Sequence, residues 1–442
     1  MESKATLRPC KVIVVGGGVT GLALALMLEK TGIDYILLEA YKELVGDATG
    51  GVAMLPTGLR ILDQLGCYEE LLDFGGGGVD TICTRDQNGE VVVSSDGWAK
   101  LSSERYGYPL LWVDRPVLLQ VMYDRISDQS KLLAGKRVET VRHVEDAVEV
   151  VTVDGSIYRG DIVIGADGTH SRVRQEMVRH ATDLGVSHAY DHDDAISATY
   201  GCMFGTSSTV PGIPPRYLGF GANKHFSYII GTGPENKTFW ALTHKLGKTT
   251  HGADILQFTE EDKQQRLQEH WDDRITPEVR FSDLHKYQQR VVHTPLHEGV
   301  HQKWHSGRII TLGDASHKMT IVLAQGGNLA LEAAVALTNN LVGMLSLPTS
   351  GGMSMDEIRC IFDKVQDQRM APASILTERS HEQQRLNAME TPELEEMLLR
   401  KYPQAFPGVV LQRWDATFPL GISLKMLDIP ARPRTVPYED ER

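Results

Sequence analysis

Residues 12–21, VIVVGGGVTG, constrain this 442-residue chain more than any other stretch. Val12, Ile13, Val14 and Val15 form a short apolar run suited to a strand of a parallel sheet, buried on both faces. Gly16, Gly18 and Gly21 follow at G-x-G-x-x-G spacing. Gly16 permits a tight turn, Gly18 lets backbone approach a pyrophosphate, and Gly21 lets a helix pack close to the sheet. The next residues, LALALMLEKTG, predict a helix stopped by Gly32. A second strand over 35–38 ends at Glu39, 18 residues beyond Gly21. An acid at that distance bonds ribose hydroxyls and favours FAD or NAD over NADP. Without the strand, helix and acid, the same glycines would be an ordinary turn.

Two later stretches share this strand-then-turn character. In GDIVIGADGTHSRVR (residues 160–174) a strand over 161–164 leads to Gly165-Ala166-Asp167-Gly168, with Ser171 and Arg174 following. Asp167 either approaches a cofactor or caps the turn and the helix after it. In GRIITLGDASHKM (residues 307–319) a strand over 309–312 ends at Gly313-Asp314. The helix beyond it offers free N–H groups and the positive end of a dipole. Arg115, in LWVDRPVLLQ, opens another helix and reads either as a cofactor neighbour or as a surface charge at a helix end.

Together, in this order, the three motifs resemble those of the FAD-dependent aromatic-hydroxylase type of flavoprotein monooxygenase. The resemblance runs along nearly the whole chain. It is strongest to fungal enzymes that decorate meroterpenoids, indole diterpenes and related polyketides. Residues 50–66, residues 110–126, the region around Trp304 and the ending IPARPRTVPYEDER (429–442) carry it further. The implied fold is α/β: a Rossmann-like FAD-binding domain of the GR2 type, an inserted substrate domain with a mixed β-sheet, and C-terminal helices. The implied cofactor contacts are Gly16, Gly18, Gly21, Glu39, Gly51, Val52, Ala53, Arg115, Asp167, Asp314, Ala324, Gly326 and Gly327. Asp167 would lie near the pyrophosphate and Asp314 at the ribityl chain. The implied chemistry uses NADPH or NADH to reduce FAD, and O2 to epoxidise or hydroxylate a terpenoid, meroterpenoid or polyketide intermediate. Tyr217 and Tyr228 are the candidate proton donors, with His225 behind them; an ordinary half-buried strand tyrosine is the competing reading.

One loop departs from the family pattern. Relatives follow the third motif with a Pro-Asn-x-Gly-Gln-Gly type of loop. Here Ile321 replaces the Pro, Val322 the Asn and Ala324 the first Gly, while Gln325, Gly326, Gly327 and Asn328 remain. Ala333 stands where relatives tend to carry Asp after Glu332. Either the loop is retuned for an unusual substrate, or the fold has lost oxygenation and serves a cyclase or isomerase. A flavin-binding scaffold without catalysis is a third reading.

Coarse division places the first part of the FAD domain at 1–180, the substrate domain at 181–300, a resumed FAD domain at 301–345 and a helical region at 346–442. Alternation over 138–153 predicts paired strands with Asp154-Gly155 as a hairpin turn. Strands are also expected over 195–204, 225–231 and 238–244. A net charge of −13 argues against a broad nucleic-acid surface. Five scattered cysteines (10, 67, 83, 202 and 360) contain no C-x-x-C pair, so neither a disulfide framework nor a zinc site is expected. His285, His293, His297, His301 and His305 lack metal spacing, and His317 is expected to position backbone. With no signal pattern and no apolar run of about 18 residues, the expectation is a cytoplasmic protein, loosely membrane-associated at most. Its partner would be a small molecule; oligomeric state stays open.

Overall fold

The computed structural model describes residues 7–46, 50–187, 190 and 195–442. The opening strand Lys11–Val15 lies in the middle of a six-stranded sheet. Asp34–Leu38 and Leu132–Leu133 lie on one side of it, and Ile162–Gly165, Ile309–Thr311 and His305–Ser306 on the other. All neighbours run parallel except the last pair. The first three motifs of the sequence therefore end side by side at one edge of one sheet, where ligands of open α/β sheets bind. The helix Val19–Thr31 is apolar around its whole circumference, and residues 22–28 are fully buried. That buried stretch has no solvent face, because the sheet covers one side and the helix Gly326–Leu345 the other; only the last turn, at Lys30, is exposed. Gly32 ends it in the left-handed conformation, φ 77°.

A three-stranded antiparallel sheet, Val138–Val144, Ala147–Thr152 and Ile157–Gly160, packs Val141, Val148 and Val150 against Ile13 and Val163. The Asp154-Gly155 turn joins its last two strands.

The larger sheet has eight strands. In order they are His317–Lys318, Gln288–Val300, Ser197–Ser207, Thr238–His251, Phe226–Thr232, Tyr217–Ala222, Thr81–Arg85 and Val91–Ser95. Its last two strands come from the stretch 1–180, expected as the first part of the FAD domain. They lie early in the chain but join this sheet through a parallel pairing of Tyr217–Ala222 with Thr81–Arg85. Such a pairing is set by long-range packing and leaves no local sign. Residues 188, 189 and 191–194, at the start of the expected substrate portion, lie outside the described residues.

The helix Met355–Asn387, opened by a Ser354/Glu357 capping box, packs on the helix Gly326–Leu345 and on the face of the eight-stranded sheet that carries Ser227 and Thr243, both bonded by Gln384. It is tied to Gly326–Leu345 by a buried ion pair between Arg369 and Glu332. The remaining chain crosses back over the helix Pro56–Gln64. Among the described residues no helix is long and apolar enough to cross a membrane, and no group of three His, Cys, Asp or Glu could hold a metal ion.

Candidate active site

A cavity of ≈ 980 Å³ runs from the glycine-rich turn at Gly16 to the inner face of the eight-stranded sheet. Sites for small molecules span roughly 300–1,000 Å³, so this one has room for a cofactor and a substrate together.

The glycines around it divide into two kinds. At Gly16, φ is 106° and a Cβ would lie 2.4 Å from the Ala166 carbonyl oxygen; at Gly21 it would lie 1.8 Å from the Gly16 carbonyl oxygen. Those two serve packing of strand, turn and helix, and Gly21 does not line the cavity. A Cβ at Gly18 would meet only Arg115, at 3.8 Å; at Gly327 only Val52, at 3.7 Å; and at Gly326 nothing within 4 Å. These three open onto the cavity from two helix N-termini, Val19–Thr31 and Gly326–Leu345. Neither terminus has a side-chain cap, so N–H groups there are free for an anionic or carbonyl ligand. This cradle fits the pyrophosphate and ring system of FAD.

The other expected contacts converge on it. Glu39 is 9% exposed; its Oε2 accepts the Gly17 N–H at 2.6 Å and its Oε1 the Tyr41 N–H at 2.8 Å. Gly51, Val52 and Ala53 lie on the strand Gly51–Met54, paired with Leu111–Asp114, and Arg115 follows that partner strand. All four line the cavity. Arg115 forms no ion pair among the described residues. Asp314 lines the cavity and pairs with Lys318. Asp167 also lines it, yet both its oxygens are used locally: Oδ1 accepts from Ser171 Oγ at 2.5 Å and Oδ2 from the Val173 N–H at 3.1 Å. Burial raises its pKa, against the pull of those hydrogen bonds. The helix cap itself is Ser171, whose Oγ accepts the Arg174 N–H at 2.9 Å.

The divergent loop forms one 3-10 turn, Ile321–Leu323, before Ala324. Ile321 lines the cavity, whereas Val322 is buried in a cluster with Leu55, Leu110 and Phe418. Half of the added bulk is thus absorbed by core packing. Ala324 adopts φ 56°, the left-handed region that the family glycine would occupy without strain. Asn328, absent from the expected contacts, organises this corner. Its Oδ1 accepts the Leu55 N–H at 3.0 Å, and its Nδ2 donates to the carbonyls of Ala324 at 2.7 Å and Ala53 at 3.2 Å. The available signal was its place one turn into a helix entered through Gly326-Gly327.

The far wall is aromatic and aliphatic: Trp112, Phe204, Ile229, Phe239 and Leu296 face the cavity, with His297 at one side. Trp112 and Phe239 stack at 6.0 Å, and a Lys237–Asp114 ion pair at 2.6 Å closes the seam beside them. Burial and the neighbouring His170 lower the pKa of His297.

Tyr217 and Tyr228, the expected proton donors, do not line this wall. Both lie in the core behind the sheet, with Trp240 and Phe281. The Tyr228 hydroxyl donates to Asp273 at 2.8 Å, and the Tyr217 hydroxyl accepts from Arg85 Nε at 3.3 Å. Strand alternation is the reason: Ile229 faces the cavity, so its neighbour Tyr228 faces away. His225 sits at a turn with φ 70°, also outside the cavity.

Residues 9–347 match the model of the FAD binding domain family. The chain belongs to that family of FAD-dependent monooxygenases. It is 36% identical to the FAD-dependent monooxygenase spyC of Aspergillus fumigatus over 82% of this chain and 77% of that one. It is 33% identical to the FAD-dependent monooxygenase ausM of Penicillium brasilianum over 98% and 90%. Among solved structures, HpxO of Klebsiella pneumoniae complexed with FAD and uric acid superposes with TM-score 0.74 at 21% identity, covering 94% of this chain and 98% of that one. The p-nitrophenol 4-monooxygenase PnpA of Pseudomonas putida gives TM-score 0.72 at 19% identity, over 92% and 96%. Those two show a shared fold. This FAD-dependent monooxygenase thus joins a glycine cradle and an apolar wall in one cavity.

Proposed function

We propose that this monooxygenase uses NADPH or NADH and O2 to epoxidise or hydroxylate a terpenoid, meroterpenoid or polyketide intermediate. The observation that carries the reading is the continuity of the cavity. One end is a cradle of open glycines and free helix N–H groups; the other is a wall of Trp112, Phe204, Ile229, Phe239 and Leu296. The chemistry supplied when FAD is bound is two-electron redox and oxygen activation.

The chain's own residues supply placement. Gly18, Gly326 and Gly327 leave room for the cofactor, and Glu39 has acceptor capacity left for ribose hydroxyls. The dipole of Gly326–Leu345 favours negative charge at its N-terminus. Trp112 and Phe239 present flat apolar surface suited to a hydrocarbon skeleton and exclude water from it. Thr206, Thr294 and His297 are the polar groups on that side able to orient a substrate oxygen. Binding through an apolar wall suits a lipophilic substrate better than a charged one.

The test is the visible spectrum of the purified protein, followed by NADPH or NADH in air. A flavin band, reductant oxidation and oxygen uptake stimulated by a prenylated aromatic or a terpenoid are expected. Bound FAD that neither reductant bleaches, with substrates present, would move the reading to a cyclase or isomerase. Failure to take up FAD on reconstitution would overturn it.

A further inference from the structure

The helix Pro56–Gln64 leads straight out of the cavity strand Gly51–Met54, and its outer face is not a solvent face. Arg60, in its middle, is 1% exposed. Its guanidinium donates to both oxygens of Asp440, at 2.8 and 3.2 Å, to Glu441 Oε1 at 2.8 Å and to the Gly421 carbonyl at 3.2 Å. The Tyr438 ring covers it at 4.1 Å. One turn further, Asp63 takes Arg432 at 2.8 and 3.0 Å. Gln64 exchanges hydrogen bonds with Leu424 in both directions, at 2.9 and 2.8 Å. Residues 421–442 are therefore laid along this helix from its first turn to its last.

The opposite face of the helix touches the cofactor cradle. A Cβ at Gly58 would lie 2.2 Å from Asn328 Oδ1, so the helix and Asn328 are in direct contact. Asn328 in turn holds Ala53, Leu55 and Ala324, and Ala53 and Ala324 both line the cavity. A displacement of the helix of even a fraction of an ångström would reach both walls at once. A buried arginine with two carboxylates and a carbonyl has a fixed position, because its planar fork is matched on every side but Nε.

We propose that Arg60 is a positioning residue for the FAD site: clamped by Asp440 and Glu441, it fixes the helix Pro56–Gln64 and, through Gly58 and Asn328, the cavity walls at Ala53 and Ala324. The segment 421–442 thereby becomes part of the cofactor site although none of it lines the cavity. The inference rests on the FAD-dependent reading of that cavity.

The test compares FAD dissociation constants, by quenching of flavin fluorescence, with thermal unfolding of the FAD-free chain. Asp440→Asn with Glu441→Gln strands the buried Arg60 charge and is expected to weaken folding as well as binding. Adding Arg60→Met removes the fully buried stranded charge and leaves Arg434, the more exposed partner of Glu441, without its carboxylate. This triple variant is expected to recover its melting temperature while still binding FAD about tenfold or more weaker, with a shifted visible flavin band. A triple variant that binds FAD as wild type does, with an unaltered band, would overturn the proposal and leave the monooxygenase reading intact. Wild-type protein that takes up no FAD would overturn both.

Discussion

The Glu39 carboxylate closes on the Gly17 backbone: Oε2 lies 2.6 Å from that nitrogen, across the turn that begins the cradle. One carboxylate thus holds the glycine turn, while each oxygen keeps acceptor capacity and the residue lines the cavity. Glu39→Gln replaces one acceptor by an N–H₂ group that cannot receive the Gly17 or Tyr41 N–H. FAD affinity is expected to fall by about tenfold, since a charged hydrogen bond is worth roughly 1.5–3 kcal/mol. Equilibrium titration with FAD checks this; equal affinity would mean that the acid serves the turn alone.

Ala324 stands at φ 56°, where an L side chain is strained by roughly 1–2 kcal/mol. Ala324→Gly removes the strain but gives the unfolded chain about 0.4–1 kcal/mol of added freedom. The expected net is a stabilisation of about 0.5–1 kcal/mol, read as a higher urea midpoint at unchanged slope. A lower midpoint would show that the Ala324 methyl contributes more through packing than its backbone costs.

Tyr217 and Tyr228 supply a test of which sheet face meets substrate. Tyr228→Phe removes the hydrogen bond to Asp273 and is expected to cost about 1–2 kcal/mol of stability. Tyr217→Phe, whose hydroxyl accepts from Arg85 at 3.3 Å and lies beside the Cys83 thiol, should cost about 1 kcal/mol or less. Turnover should be unaltered in both. A selective loss of turnover in either, with stability intact, would return that tyrosine to the chemistry.

The glycine turn at one end of the cavity was legible in the sequence because it is local. Gly16, Gly18, Gly21 and Glu39 belong to one strand–helix–strand unit, in which a fixed spacing gives a fixed geometry. The substrate wall was less legible. Alternation shows that Tyr228 and Ile229 face opposite sides of a sheet, but which side meets the cofactor depends on how the two sheets pack. Asn328 and Arg60 lay further out of reach: their partners are 273 and 380 residues away in the chain. The early strands Thr81–Arg85 and Val91–Ser95 join the larger sheet through contacts of the same long-range kind.

Buried histidines make this fold sensitive to acid. Burial is the largest cause of lowered pKa at each of His143, His293, His305 and His317, which fall to about 4, and at His301, which falls to about 3. At His317 the Asp314 carboxylate opposes the shift, while Arg369 and Lys318 assist it. In the unfolded chain these imidazoles titrate near 6.5, so between pH 6.5 and 4 that chain binds protons the folded chain refuses. Their contribution is therefore complete above pH 6.5 and is lost progressively as pH falls toward 4. Urea midpoints of the FAD-free protein are expected to drop steadily between pH 6.5 and 4.5 and to be flat, as far as these groups are concerned, above pH 7. His317→Gln should reduce the proton uptake on unfolding in that window by about one. An unchanged slope in the variant would mean that His317 takes up no proton on unfolding in that window.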